Sequence, residues 1–145
     1  MITNLDPGTL GLGMITAVVC VAILAAMIFL LGFNVSRMRG VTAQQGGSQL
    51  PTDPASPLLI AIRAHGNAIE YVPTLMVLFL LVGALAPTWV ALPLIIGATA
   101  SRVLHAYGMV TAKTLAAENN RRLAGAMGTY LFGIGLAVAA AVAAF

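Results

Sequence analysis

Long uncharged stretches dominate the chain, and charged residues fall between them. No charge lies between Asp6 and Arg37, between Glu70 and Arg102, or after Arg122. Each stretch can hold at least one apolar helix of the roughly 20 residues that a bilayer requires. The stretch before Arg102 is divided by "GALAPTW", whose proline and glycine indicate a turn. The pattern therefore predicts several helices that cross a membrane.

Four such helices follow from this division. We predict them at about residues 9–35, 57–84, 88–112 and 122–144, in a single domain that covers residues 1–145. A β-barrel would need segments of about ten residues with alternating polarity, and runs such as "AVVCVAILAAMIFLLGF" do not alternate. A soluble protein would not be 60% hydrophobic and only 8% charged. The predicted fold class is an all-α integral membrane protein, a bundle of four transmembrane helices.

The basic residues predict how the bundle is oriented. All seven lie in or beside the first and third connections, as Arg37, Arg39 and Arg63, and as Arg102, Lys113, Arg121 and Arg122. Lys and Arg accumulate in cytoplasmic loops. We therefore expect loops 38–56 and 113–121 to face the cytoplasm and both termini to lie outside. Seven basic residues are too few for a surface that follows a phosphate backbone, so no nucleic-acid partner is predicted.

A polar stripe interrupts the second apolar stretch in "RAHGNAIEYVP". Arg63, Asn67 and Glu70 stand at positions i, i+4 and i+7, so they share one helical face. Tyr71 lies beside this face, and His65 points nearly the other way. Charged groups at this depth avoid lipid and face a bundle interior, a cavity or one another. The stripe is thus either a set of interhelical contacts or part of a binding site.

A second polar group lies on the third helix, in "SRVLHAYG". Arg102 and His105 are one turn apart and share a face. A buried arginine needs an acidic or dipolar partner, and Glu70 is the expected one. His105 fits a hydrogen-bonded interior histidine as well as a functional one. Ligand spacing for a metal is not present, so no metal is predicted.

The two polar segments together resemble the MAPEG family, the membrane-associated proteins of eicosanoid and glutathione metabolism. "RAHGNAIEYVP" is followed about thirty residues later by "RVLHAYG", and the likeness extends to the four spans and the basic loops. It is particularly similar to the small members of the bacterial inner membrane. The resemblance implies a homotrimer that binds glutathione between neighbouring subunits, near the cytoplasmic side.

The resemblance also implies roles for individual residues. Carried over by position, the glutathione-binding residues are Arg37, Arg63, Asn67, Glu70, Tyr71, Arg102 and His105. Arginines suit the two carboxylates of glutathione, and a glutamate suits its ammonium group. In glutathione-conjugating members an arginine at the start of the fourth helix stabilises the thiolate. Arg121 and Arg122 stand there, and Arg122 is favoured because "RLA" at 122–124 resembles the local pattern.

The function implied is that of a glutathione-dependent transferase or peroxidase acting on a lipophilic electrophile, with glutathione as co-substrate. His105 and Met109 replace tyrosines of some eicosanoid-making members, so no eicosanoid substrate is inferred. The alternative is a non-catalytic protein of the family that binds lipid or acts as a scaffold. A transporter or proton path through Glu70, His65 and His105 is a third possibility, although the sequence contains no inverted repeat.

Overall fold

The computed structural model describes residues 11–145 and contains four helices within them. They are α1 (Leu12–Gln44), α2 (Pro57–Leu85), α3 (Thr88–Val110) and α4 (Asn120–Val142). All four are long and apolar enough to cross a membrane. The predicted all-α class and the four spans are therefore confirmed. The helix start predicted at residue 9, and the N-terminus predicted to lie outside, fall outside the described residues.

The first helix extends nine residues beyond its predicted end at residue 35, into the predicted first loop. Its end is a glycine cap in the Schellman arrangement. Gly46 adopts a positive φ of 67°, and its N–H donates to the carbonyl of Ala43 over 3.0 Å. The N–H of Gly47 donates to the carbonyl of Thr42 over 2.9 Å. The chain turns where glycine makes a left-handed conformation inexpensive, and not where the apolar run ends.

The start of α2 agrees with its sequence signals. Ser56 is the N-cap, and its hydroxyl accepts a hydrogen bond of 3.4 Å from the backbone N–H of Leu59. Pro57 occupies the first helical position, where its missing N–H leaves no bond unmade. The fourth helix begins two residues earlier than predicted, at Asn120.

The helices alternate in direction, so the first and third connections lie at the same end of the bundle. A backbone hydrogen bond of 2.8 Å from Leu115 N–H to the Pro54 carbonyl joins these two connections. We call this the basic end, because the two connections and the helix ends beside them carry the lysine and arginine residues. The depth of a residue is given below as its distance along its helix from this end.

Close contact between α3 and α4 depends on glycines. A Cβ added at Gly125 would lie 2.5 Å from the backbone nitrogen of His105, and one added at Gly128 would collide with the Ser101 hydroxyl. The two helix backbones therefore approach more closely than larger residues would permit. This approach brings the first turn of α4 against the polar residues of α3.

Candidate functional site

Arg102 is the most deeply buried charged residue of the site, with 1% of its surface exposed. Its Nη2 donates to the side-chain oxygen of Asn67 over 2.8 Å and to the Asn67 backbone carbonyl over 3.4 Å. Within residues 11–145 its Nε has no hydrogen-bond partner. A buried guanidinium with an unused donor is ready to bind a further acceptor, because an unmet buried donor is energetically unfavourable.

Asn67, and not the expected Glu70, is thus the hydrogen-bonding partner of Arg102. The side of α2 that faces α3 explains the difference, because Asn67 and Tyr71 lie one turn apart and both contact Arg102. Arg102 lies eight residues before the end of α3, about 12 Å from the basic end, and Asn67 lies ten residues into α2, about 15 Å from the same end. Glu70 lies nearly one turn deeper and is exposed on the single chain. The partner is dipolar and uncharged, so the positive charge of Arg102 remains available to an anion.

Two tyrosines extend this cluster from α2 to α4. The guanidinium of Arg102 lies over the ring of Tyr71, 5.3 Å from its centre, in a cation–π contact. The hydroxyl of Tyr71 hydrogen-bonds that of Tyr130 over 3.2 Å. Tyr130 is exposed on the single chain and is not among the residues predicted from the sequence, although a tyrosine in an apolar span is itself a signal, since its hydroxyl needs a hydrogen-bond partner there. Three helices therefore share one polar cluster.

His105 connects α3 to the start of α4. Its Nδ1 lies 2.8 Å from the backbone carbonyl of Arg122. Because a carbonyl can only accept, Nδ1 carries the hydrogen, and in the neutral ring Nε2 keeps a free lone pair. Arg102 lies one turn away on the same face of α3. His105 therefore stands between the two arginines that the sequence singled out in α3 and α4.

Arg122 has a half-satisfied guanidinium. Its Nη2 donates to the carbonyls of Leu115 and Ala117, each over 3.3 Å, and so holds the third connection in place. Its Nη1 is buried and has no hydrogen-bond partner in the described part of the chain. Arg122 thus resembles Arg102 in combining a structural contact with one unused donor.

Asn119 fixes the position of Arg122. Its side-chain oxygen accepts from the backbone N–H groups of Arg121 and Arg122, over 3.0 and 3.1 Å, and caps α4. Its amide nitrogen donates to the carbonyl of Gly108 over 3.2 Å, so the same side chain also binds the end of α3. Asn119 is not among the residues predicted from the sequence, although asparagine is a preferred N-cap.

The other predicted site residues lie apart from this cluster in a single chain. The guanidinium of Arg121 lies 5.3 Å from the ring centre of Tyr107, an exposed residue of α3. Arg37 donates to the side-chain oxygen of Asn34 over 3.0 Å on the surface of α1. Arg63 is exposed on α2. One chain therefore assembles Asn67, Tyr71, Arg102, His105 and Arg122, with Glu70 exposed at the border of the cluster beside Tyr71, and leaves Arg37, Arg63 and Arg121 outside.

Two small cavities border the assembled residues. One of about 360 Å³ is lined by His105, Glu118, Asn119 and Arg122, among others. A second of about 280 Å³ lies between α2 and α4, with Glu70, Tyr71 and Tyr130 in its wall and mostly apolar residues beyond them. The first is polar and the second mostly apolar, so polar and lipophilic groups could approach the cluster from different sides. Within residues 11–145 no group of three or more His, Cys, Asp or Glu residues could hold a metal ion.

These features define an integral membrane protein of four helices with a buried, arginine-rich polar site near one end. The chain belongs to the MAPEG family, whose model matches residues 17–142, most of its length. No similar curated protein and no similar solved structure was found.

Proposed function

We propose that the protein is a glutathione-dependent membrane transferase or peroxidase that acts on a lipophilic electrophile. The observation that carries this proposal is Arg102, a buried cation held by Asn67 and Tyr71 with one donor unused. A charge buried within a membrane protein is costly and marks a functional site. Family membership supports glutathione as the ligand that meets it.

The free donors fit the chemistry of glutathione. Arg102 Nε and Arg122 Nη1 are both buried and unpartnered among the described residues. Glutathione carries two carboxylates, and an arginine binds a carboxylate through charge-assisted hydrogen bonds. Glu70 is suited to the ammonium group of the same ligand, as the family resemblance implies.

Arg122 is proposed to stabilise the thiolate. A nearby guanidinium favours the charged form of the thiol, which is the nucleophilic form. The proton leaves to water, and the sulfur then attacks an electrophilic carbon, whose leaving group departs with the bonding electrons. In the peroxidase variant the thiolate attacks one oxygen of a hydroperoxide and breaks the O–O bond, and the alkoxide that leaves takes a proton to become an alcohol. The thiol of a second glutathione then attacks the resulting sulfenic acid, which gives the disulfide and releases water. Arg121 is a weaker candidate because it contacts Tyr107 instead.

A complete glutathione site would require more than one chain. In a single chain Arg63 and Glu70 are exposed, and Arg37 hydrogen-bonds only within α1. Within residues 11–145, α1 and α4 do not contact each other. Arg37 of α1 is therefore not a partner of Arg122 of α4 in the same chain. We propose a homotrimer in which Arg37 of one subunit approaches the cluster of the next. The trimer would lie in a bacterial inner membrane, with the basic end facing the cytoplasm.

Thermal unfolding of the detergent-purified protein, with and without millimolar glutathione, tests the proposal. A ligand that binds only the folded state stabilises it by about 1.4 kcal/mol at tenfold its dissociation constant. We expect the midpoint to rise, and the rise to disappear in Arg63→Ala. Arg39→Ala, which removes an exposed arginine outside the stripe, should keep it. No shift with glutathione, together with stabilisation by lipid alone, would favour the non-catalytic lipid-binding alternative.

A further inference from the structure

A cavity of about 1060 Å³ opens at the basic end between α1, the first turn of α2 and α3, on a different side of α3 from the Arg102 cluster. Its walls are apolar and include Met27, Leu30, Ile60, Val103 and Val110. Leu30, Val103 and Val110 are exposed on the chain, so the cavity opens toward whatever surrounds the bundle. For a membrane protein those surroundings include acyl chains.

The mouth of this cavity is basic. Arg37, from α1, and Lys113, just beyond the end of α3, line it together with Asn34. Both cations are exposed, and Arg37 is held by its hydrogen bond of 3.0 Å to Asn34. None of the residues that line the cavity, all within the described part of the chain, is acidic. An apolar chamber is thus combined with two uncompensated positive charges at the depth of a membrane surface.

We propose that this cavity binds an anionic phospholipid. An acyl chain would lie along the apolar wall, and the phosphate would meet Arg37 and Lys113. Basic pockets between membrane helices suit lipids that carry net negative charge. A zwitterionic headgroup is a poorer fit, because its ammonium group would approach the same two cations.

Two other occupants fit less well. A small soluble anion would satisfy the basic mouth but leave an apolar chamber of this size without a function. A second copy of the chain could cover the apolar wall, but the whole sequence has only four acidic residues to offer the basic mouth. The lipid alone matches the chamber and its mouth at once. The inference concerns a cavity different from the proposed glutathione site, but it shares Arg37 with that site, so its tests use Lys113 and Ala26, which have no part in the proposed glutathione chemistry.

Lipid binding to the intact protein, measured by native mass spectrometry in detergent, tests this inference. The probes are phosphatidylglycerol and phosphatidylcholine with identical acyl chains. Each basic residue at a membrane surface contributes roughly a fivefold preference for anionic lipid. We expect phosphatidylglycerol to bind more tightly than phosphatidylcholine, and Lys113→Gln to weaken phosphatidylglycerol binding about fivefold. Arg39→Gln removes the same charge from an exposed residue that does not line the cavity, and should have little effect.

A second pair of variants tests the apolar chamber. Ala26 is exposed and lines the cavity, so Ala26→Phe should fill the chamber without disturbing the core, and binding of both lipids should fall. Ala22→Phe adds the same ring to an exposed position one turn away that does not line it, and should bind as the unmodified protein does. Unchanged midpoints of thermal unfolding without lipid establish that both variants fold.

Several outcomes would overturn the inference. Equal binding of the two lipids would remove the role of the charges, and equal losses in Lys113→Gln and Arg39→Gln would indicate general attraction without a site. Unaltered binding in Ala26→Phe would place the lipid elsewhere. Soluble glycerol phosphate that binds as tightly as the lipid would identify a soluble-anion site. Crosslinking of cysteines introduced at the cavity wall in two neighbouring chains would indicate that a second copy covers it.

Discussion

Arg102 of α3 donates a hydrogen bond of 2.8 Å to the side-chain oxygen of Asn67 on α2. This bond joins two helices in the interior and gives a buried cation a neutral partner. A neutral partner holds the guanidinium in place without neutralising its charge. The arrangement therefore gives the guanidinium both a fixed orientation and an available positive charge. A carboxylate at the same position would fix the orientation but neutralise the charge.

Removal of this acceptor should destabilise the fold. Asn67→Ala leaves the Arg102 guanidinium buried without its best acceptor, and we expect a loss of about 2–3 kcal/mol in the free energy of unfolding. Asn67→Asp keeps an oxygen at the same place and should retain most of the stability. Reversible unfolding in mixed detergent measures both.

The surface pair of Arg37 and Asn34 provides the matched control. It has the same chemistry and a similar distance of 3.0 Å, but the pair is exposed. Asn34→Ala should change the stability by less than about 1 kcal/mol, because exposed polar pairs contribute little. Equal losses in Asn34→Ala and Asn67→Ala would contradict the importance of burial.

The fold is largely predictable from the sequence because its main determinant is simple. Uncharged stretches of membrane-spanning length predict four helices, and Ser56 followed by Pro57 predicts where α2 begins. The predicted end of α1 was wrong because it was placed where the apolar run ends. A helix outside a bilayer continues for as long as its backbone is satisfied, and here the glycine cap at Gly46 ends it.

The site was predictable only in part, and the reason is geometric. Helical spacing places Asn67 beside Arg63 and His105 beside Arg102, but it does not fix the relative height of two helices. Nor does it fix which side of α2 faces α3, and the choice of Asn67 over Glu70 depends on that side, because Asn67 and Tyr71 contact Arg102 whereas Glu70 is exposed. Tyr130 and Asn119 contact residues far away in the sequence or across a connection, so spacing along one helix could not identify their partners.

The contact between α3 and α4 should depend strongly on Gly125. A Cβ there would lie 2.5 Å from the His105 nitrogen, a backbone atom that cannot rotate away. Gly125→Ala should force the helices apart and reduce the unfolding free energy by roughly 1–3 kcal/mol, as overpacking does. The hydrogen bond from His105 to Arg122 would lengthen with it.

Gly133 of the same helix provides the comparison. A Cβ there would meet Leu75 at 3.7 Å, an ordinary contact. Gly133→Ala should therefore be neutral or stabilise the protein by about 0.5–1 kcal/mol, because alanine is the better helix former. The midpoint of thermal unfolding should fall in Gly125→Ala, and it should stay the same or rise in Gly133→Ala. Equal effects at the two glycines would refute the close approach of α3 and α4.

Asn119 should support both helices that it contacts. Asn119→Ala removes the cap of α4 and the bond to Gly108, and we expect a loss of about 1–2 kcal/mol. Asn119→Asp keeps the capping oxygen but loses the amide donor, so its loss should be smaller. Asn120→Ala, at the exposed neighbouring position, is the control. If Asn119→Ala were as stable as Asn120→Ala, the double contact would have no energetic role.

The last prediction separates the two arginines at the start of α4. Arg122 contacts the carbonyl of Leu115 and keeps a buried donor free, whereas Arg121 lies against the exposed ring of Tyr107. With glutathione bound, Arg122→Ala should reduce the ultraviolet absorbance of the thiolate by about tenfold. The reason is that a nearby positive charge lowers the pKa of a thiol, so the loss of the guanidinium should reduce the fraction of bound glutathione that is ionised. Arg122→Lys should restore part of the signal, and Arg121→Ala should lose less of it. Because Arg122→Ala also releases the third connection, glutathione affinity is measured in parallel by thermal shift, and thiolate is compared at equal occupancy. An undiminished signal in Arg122→Ala at full occupancy, or an equal loss in Arg121→Ala, would show that the thiolate is stabilised elsewhere, with Arg102 the next residue to test.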